Sequence, residues 1–193
     1  YYFETQIKMN DVELKELGDI CQIKNGNYNS NEMDSVGDIP FYTCKANNPS
    51  GLCSKYNMEY DNYLLLVSSG GSQNNLCGEN VGLGKCYIVN GKTACRTNVY
   101  ALIPKLNNED IKYIYYYLNI FRNITNSKAK FTTNLGVISK SDIETLKILK
   151  TSPEKQTEIV QYLDKLETKK NSIINEINDI DTLMKDVLEQ SYN

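Results

Sequence analysis

The chain has 193 residues, 40% of them hydrophobic and 23% charged, with a net charge of −3. That size suits one sizeable core with an appendage, and no run approaches the roughly 18 consecutive apolar residues of a membrane span. With no histidine and no Cys-x-x-Cys pair among its six cysteines, the sequence lacks the usual zinc ligand sets and the commonest general base, so no metal, cofactor or catalytic residue is expected.

The six cysteines are read as buried free thiols, and Tyr1-Tyr2-Phe3-Glu4-Thr5 lacks the basic-then-apolar layout of a signal peptide, so a cytoplasmic location is expected. A start at Tyr rather than Met is compatible with a segment of a longer protein. Charge is segregated: residues 85–150 carry +7, flanked by −6 before and −4 after. If folding keeps the segments apart, an acidic protein acquires a basic face of the kind that phosphate binding requires; if folding interleaves them, the asymmetry cancels.

Leu14, Leu17, Ile20 and Cys21 recur at helical spacing and stop at Asn25-Gly26, which predicts a short helix running into a strand. Residues 27–38 are polar and turn-like. Strands are predicted over residues 39–45 and 63–69, the second apolar on consecutive positions and therefore buried on both faces, with Asn47 to Gly51 as a loop between them. Residues 85–89 and 93–103 flank Asn90-Gly91, a strong signal for a tight hairpin. Residues 109–122 place Ile111, Ile114, Tyr115 and Leu118 on one helical face, followed by a polar, basic loop to Gly136 and a short segment ending in Leu146-Lys147-Ile148-Leu149.

A boundary is placed at Thr151-Ser152-Pro153, giving a head over 1–150 and a long helix over 151–193. Proline is favoured at a first helical position, and Thr151 with Glu154 has capping-box spacing. Beyond it Ile159, Leu163, Leu166, Lys170, Ile173, Ile177, Ile180, Met184 and Val187 follow the alternating spacing of a coiled-coil seam. A helix of about 38 residues reaches about 57 Å, longer than a small head covers, so a partner helix is expected rather than packing on the protein's own head. The fold class expected is α+β, with a mixed, mostly antiparallel sheet, flanking helices and a long C-terminal coiled-coil helix.

Enzyme motifs fail. Gly82-Leu83-Gly84-Lys85 ends like a phosphate-binding loop, but Glu79 stands where its first glycine belongs and Cys86 where its magnesium-binding hydroxyl belongs. Asn48-Pro49-Ser50 lacks the second proline and the aromatic residue of an adenine-methyltransferase motif. Glu13-Leu14-Lys15 has no Pro-Asp dipeptide before it and reads as solvated surface. The loops instead offer binding chemistry: amides that pair bidentately with adenine, lysines that reach guanine or phosphate, and glycines that admit close backbone approach. Candidate contacts are Lys24, Asn25, Asn27, Lys45, Asn47, Gly70, Gly71, Ser72, Gln73, Asn74, Arg96, Lys128, Lys130, Thr132, Thr133 and Asn134.

Leu17-Gly18-Asp19-Ile20 with Gly26, then Gly37-Asp38-Ile39-Pro40-Phe41-Tyr42, Ser69-Gly70-Gly71 through Gly84-Lys85, Asn134-Leu135-Gly136, and Pro153-Glu154-Lys155-Gln156 with Ile159 and Leu163 form an ordered series. In order and spacing it resembles the specificity subunits of Type I restriction-modification enzymes, over roughly residues 14 to 190. The approach to the Glu-Gln pair departs from the family's proline-rich form, with Lys155 between the two residues. The resemblance implies a target recognition domain that binds double-stranded DNA, a spacer helix, and methyltransferase and restriction subunits that supply all catalysis. Full specificity subunits have two recognition domains, whereas one is present here. Half of such a subunit, a half-length subunit that homodimerises through the C-terminal helix, and the C-terminal domain of a single-chain restriction-methylation enzyme all remain open, the first two placing a second recognition domain alongside. Rivals from other classes are a coiled-coil adaptor that binds protein and a nuclease head.

Overall fold

A computed structural model of the chain describes residues 12–34, 36–105, 110–131 and 134–191. It divides into two compact units, Tyr1–Pro153 and Glu154–Asn193.

The first unit is an α+β head built on a six-stranded sheet. Its central strand, β5 (Met58–Val67), contains the apolar run Tyr63 to Val67, every residue of it fully buried. β7 (Cys86–Cys95) and β8 (Val99–Pro104) flank it on its two edges, both antiparallel. Burial on both faces follows from that central place, as the unbroken apolar pattern requires. β2 (Cys21–Asn25) continues the sheet beyond β8, while β3 (Ile39–Tyr42) lies parallel to β7 and carries β4 (Gly51–Cys53) at the edge. The spatial order is thus β2-β8-β5-β7-β3-β4. Tyr42, Met58, Tyr63, Leu65, Val89, Cys95, Val99 and Ala101 pack into one cluster on this sheet.

The predicted Asn90-Gly91 hairpin does not form. β7 runs unbroken through these residues, pairing Gly91 with Tyr60 and Val89 with Tyr63. Asp61 and Asn62 of β5 therefore face Asn90 alone, a bulge in which Asn62 (φ 47°) and Gly91 (φ 76°) both adopt the left-handed region. The glycine's conformational freedom is used, but to bend a strand rather than to reverse it. β7 and β8 are not hairpin partners, because β5 lies between them.

The first helix is shorter than its spacing predicts. Leu14 belongs to β1 (Glu13–Glu16), which pairs with β11 (Lys147–Lys150), and the helix α1 is the single turn Leu17–Ile20. The helix α2 (Ile111–Ile120) is capped by Asp110, whose carboxylate accepts from the Lys112 and Tyr113 backbone N–H groups; the expected start at Glu109 lies outside the described residues. Of the expected face, Ile114 and Leu118 are buried, whereas Ile111 and Tyr115 are half-buried and Tyr113 and Tyr116 complete the buried set. The predicted loop after it contains another helix, α3 (Arg122–Asn126), and then β9 (Lys130–Phe131). β9, β10 (Gly136–Val137) and β6 (Ser69–Gly70) form a small sheet with β10 in the middle. α4 (Lys140–Glu144) precedes β11. Cys21, Cys53, Cys86 and Cys95 are buried as expected, and burial pushes the Cys95 thiol up to about 12; Cys44 is half-buried and Cys77 exposed.

The described part of the second unit belongs to the helix α5 (Pro153–Ser191), 39 residues long and opening on the expected proline. Gln156, Ile159 and Val160 are buried.

Candidate nucleic-acid interface

Three loops meet at the turn between β7 and β8. Arg96-Thr97-Asn98 is closed by the Val99 N–H donating to the Arg96 carbonyl at 2.9 Å. The Arg96 N–H donates to Tyr42 at the end of β3 (3.0 Å), and the Tyr28 N–H, just past β2, donates to Cys95 (3.2 Å). The Ser68 N–H, just past β5, donates to the Asn98 carbonyl at 2.8 Å. Gly26 lies so close to this turn that a Cβ would collide with the Arg96 carbonyl oxygen, so glycine is required there by space. Arg96 is half-buried; one terminal guanidinium nitrogen lies 3.9 Å from the Cys44 Sγ, and its buried Nε has no partner among the described residues.

The loop after β3 closes on Asn48, whose side chain accepts from the Thr43 N–H (2.9 Å) and donates to the Thr43 and Lys45 carbonyls (3.1 and 2.9 Å). Internal satisfaction of this kind leaves Lys45 and Asn47 projecting as exposed side chains.

The loop after β6 runs to β7. Gly70 (φ 146°) and Gly71 (φ 69°) start it, and the Ser72 and Asn75 backbones pair at its tip, with Ser72, Gln73 and Asn74 exposed. The three-stranded sheet brings it beside the candidate segment after α3: Gly70 pairs with Gly136, Gly136 with Phe131, and the Ile138 N–H donates to Ser68 (2.8 Å). Asn134 and Lys128 are exposed on that neighbour. Backbone contacts therefore link all four candidate loops, two directly to the Arg96 turn and the others through Ser68 and the small sheet. Thr132 and Thr133 lie outside the described residues.

Charge is less concentrated than the sequence segregation suggests. Lys85 and Arg122 donate to backbone carbonyls, and burial holds both cations below their ordinary values. Lys105 donates to Gly18, Lys92 sits 4.6 Å from the Tyr56 ring centre, and Lys130 pairs with Asp142 at 3.0 Å. The Ser139 hydroxyl and Lys130 hold the Asp142 carboxyl below its usual range. Lys24, exposed on β2, donates to the Tyr60 hydroxyl at 2.7 Å, while Asn25 and Asn27 are exposed, Asn27 accepting from Asn57 at 2.6 Å. Among the candidate lysines, Lys45 and Lys128 alone have no side-chain partner among the described residues.

Sequence reasoning missed Arg122 and Asn126, which hold the loop after β6 in place. Their i, i+4 spacing was visible, but not the burial of Asn126, the property that marks it as structural.

On α5 the predicted seam becomes steadily more exposed. Ile159 is buried and Leu163 half-buried, whereas exposure rises from 45% at Leu166, through Ile173, Ile177, Ile180 and Met184, to 65% at Val187. Lys170 is exposed within the same stripe. Among the described residues no helix is long and apolar enough to cross a membrane, and no group of three or more acidic, cysteine or histidine residues could hold a metal.

The family model for the Type I restriction modification DNA specificity domain matches residues 9–180. No curated protein sequence matches the chain. Several solved structures share its fold. The S subunit of a Type I restriction-modification system from M. genitalium superposes with a TM-score of 0.68 at 19% identity, over 86% of this chain and 41% of its own. The HsdS subunit from Thermoanaerobacter tengcongensis gives 0.59 at 19%, over 86% and 39%. A structure described for complex assembly and conformational transition of the type I R-M system gives 0.62 at 20%, over 88% and 41%. The chain thus spans about two fifths of the length of the structures it matches.

Proposed function

Because the chain belongs to the Type I restriction modification DNA specificity domain family, matched over residues 9–180, we propose that its head reads one part of a duplex DNA target for a restriction-modification system. On this reading residues 1–150 are the target recognition domain and residues 151–193 the spacer. The observation that carries it is the linkage of the four polar loops through the Arg96 turn and the small sheet. Exposed amides at Asn25, Asn47, Gln73, Asn74 and Asn134 suit base edges, and the exposed Lys45 and Lys128 suit phosphates.

The exposed stripe of α5 supports a second role, packing against another helix that carries a second recognition domain, either a further segment of the same protein or a second copy. Two heads so spaced would read a split target. At 39 residues the helix is about 58 Å long, an upper limit of roughly 17 base pairs on their separation. Methyltransferase and restriction subunits would supply the chemistry, and the complex would act in the cytoplasm.

The test is selection of random duplex DNA by the purified chain, with retained sequences read out at several salt concentrations. Enrichment of a short motif, single or paired at fixed spacing, is expected. Retention without sequence preference, or none at low salt, together with self-association through the helix, would transfer support to a protein-binding adaptor. Magnesium-dependent cleavage by the chain alone would make the head a nuclease.

A further inference from the structure

The residues between β6 and β7 form a long connection, yet much of the satisfaction of their backbone comes from two side chains of α3. Arg122 donates through Nε to the Leu83 carbonyl (2.7 Å) and through its terminal nitrogens to Val81 (2.5 Å) and Cys77 (3.4 Å). Asn126, one helical turn later, donates through Nδ2 to Leu76 (2.6 Å) and Leu83 (3.1 Å). Spacing of i and i+4 puts both on one face of the helix. α3 begins directly after Phe121, the residue that ends α2, and this break sets Arg122 facing the loop.

The far side of the loop is held as well. Lys85 donates to Glu79 within it (2.8 Å) and to Ala46 in the neighbouring loop (3.1 Å), where Tyr87 also donates (2.7 Å). Space is equally restricted, since a Cβ on Gly82 would collide with the Cys44 and Lys45 carbonyl oxygens and one on Gly84 with the Asn126 Oδ1. The stem at Leu76 to Gly84 is thereby fixed against both α3 and the loop bearing Lys45 and Asn47. What projects from the fixed stem is the exposed tip, Ser72 to Asn75.

We propose that Arg122 is a positioning residue for base discrimination: it fixes the stem of the loop after β6 so that the Ser72 to Asn75 tip meets DNA in one conformation. This inference rests on the DNA-reading function proposed above. A recognition site must be held within about 0.5 Å, and an unclamped connection of this length would meet the duplex in many conformations. Phosphate attraction tolerates such looseness, whereas bidentate pairing with a base edge does not. Arg122 has its guanidinium directed at three loop carbonyls, so it acts through the loop rather than on DNA.

The full chain is compared with Arg122→Met, which keeps an unbranched but shorter side chain with no donor, and with Arg122→Lys, which restores a single cationic donor group. Two readouts are taken: amide hydrogen exchange across residues 72–84 without DNA, and affinity for a selected site against a scrambled one across a salt series. In Arg122→Met the loop amides exchange faster while β5 and β8 keep their protection. Discrimination falls at least about tenfold, the worth of roughly one base pair of readout, with low-salt affinity for scrambled DNA and its salt slope unchanged. Arg122→Lys recovers part of the discrimination. Unchanged discrimination in Arg122→Met, or unchanged exchange in its loop, overturns the positioning role. General loss of protection in β5 and β8 also overturns it, by making Arg122 a residue of the fold as a whole. If the unaltered chain selects no motif, the DNA reading itself falls, and the positioning role with it, whatever the exchange data show.

Discussion

Replacing Lys45 and Lys128 together by glutamine removes two exposed cations that have no side-chain partner among the described residues, without adding repulsion. If each neutralises one phosphate, the slope of log affinity against log salt falls in magnitude by about 0.9 per contact, or about 1.8 for the pair. Between 50 and 200 mM salt, a fourfold change, the unaltered chain then loses roughly tenfold more affinity than the double variant. Fluorescence anisotropy on a labelled duplex, titrated at four salt concentrations, measures both slopes. Lys130→Gln is the internal control: Lys130 already pairs with Asp142 at 3.0 Å, so releasing it to a phosphate breaks an existing contact and its slope change is less than half that of Lys128→Gln. A double variant with an unaltered slope, or a Lys130 effect equal to that of Lys128, would refute the assignment of these loops to the phosphate backbone.

Three further outcomes are expected. Asp34 accepts from the Val36, Gly37 and Ser54 N–H groups and from the Ser54 hydroxyl, which lower its carboxyl from 3.8 to about 2. A carboxyl depressed on folding stabilises the fold above its unfolded value and loses that contribution as pH falls through the folded one, so unfolding midpoints drop between about pH 4 and pH 2, and Asp34→Asn flattens that part of the profile. Tyr63→Phe keeps a fully buried ring but deletes the hydroxyl that meets Thr93 Oγ1 at 2.5 Å and the Gly91 carbonyl at 3.2 Å; urea unfolding should show a loss of about 1–2 kcal/mol, and no loss would mean that these bonds are exchanged for water without cost. Ile173→Gln with Ile180→Gln removes two apolar residues from the exposed stripe of α5, so sedimentation should show weakened helix-mediated association while the melting of the head is unchanged.

Much of the architecture was legible in one dimension because its physical causes are local. The consecutive apolar residues Tyr63 to Val67 have no polar face to turn outward, so only a central strand satisfies them. Pro153 and the seam from Ile159 to Val187 mark a helix start and its stripe by spacing alone. The ordered motifs from Leu17 to Leu163 carried the family, and the loops they bound held the candidate contacts. Tertiary structure decided everything that depends on what lies opposite. Asn90-Gly91 has the chemistry of a hairpin turn, but β5 pairs with β7 across it and turns the same freedom into a bulge. Leu14 fits a helical period, yet β11 offers backbone partners and draws it into a strand. Lys130 looked as available as Lys128 until Asp142, twelve positions away, was placed against it. Arg122 and Asn126 read as ordinary polar residues, and only the fold sets them beneath a loop some forty to fifty positions earlier in the chain. Periodicity and turn chemistry report on neighbours in sequence, while pairing, burial and charge neutralisation are fixed by neighbours in space.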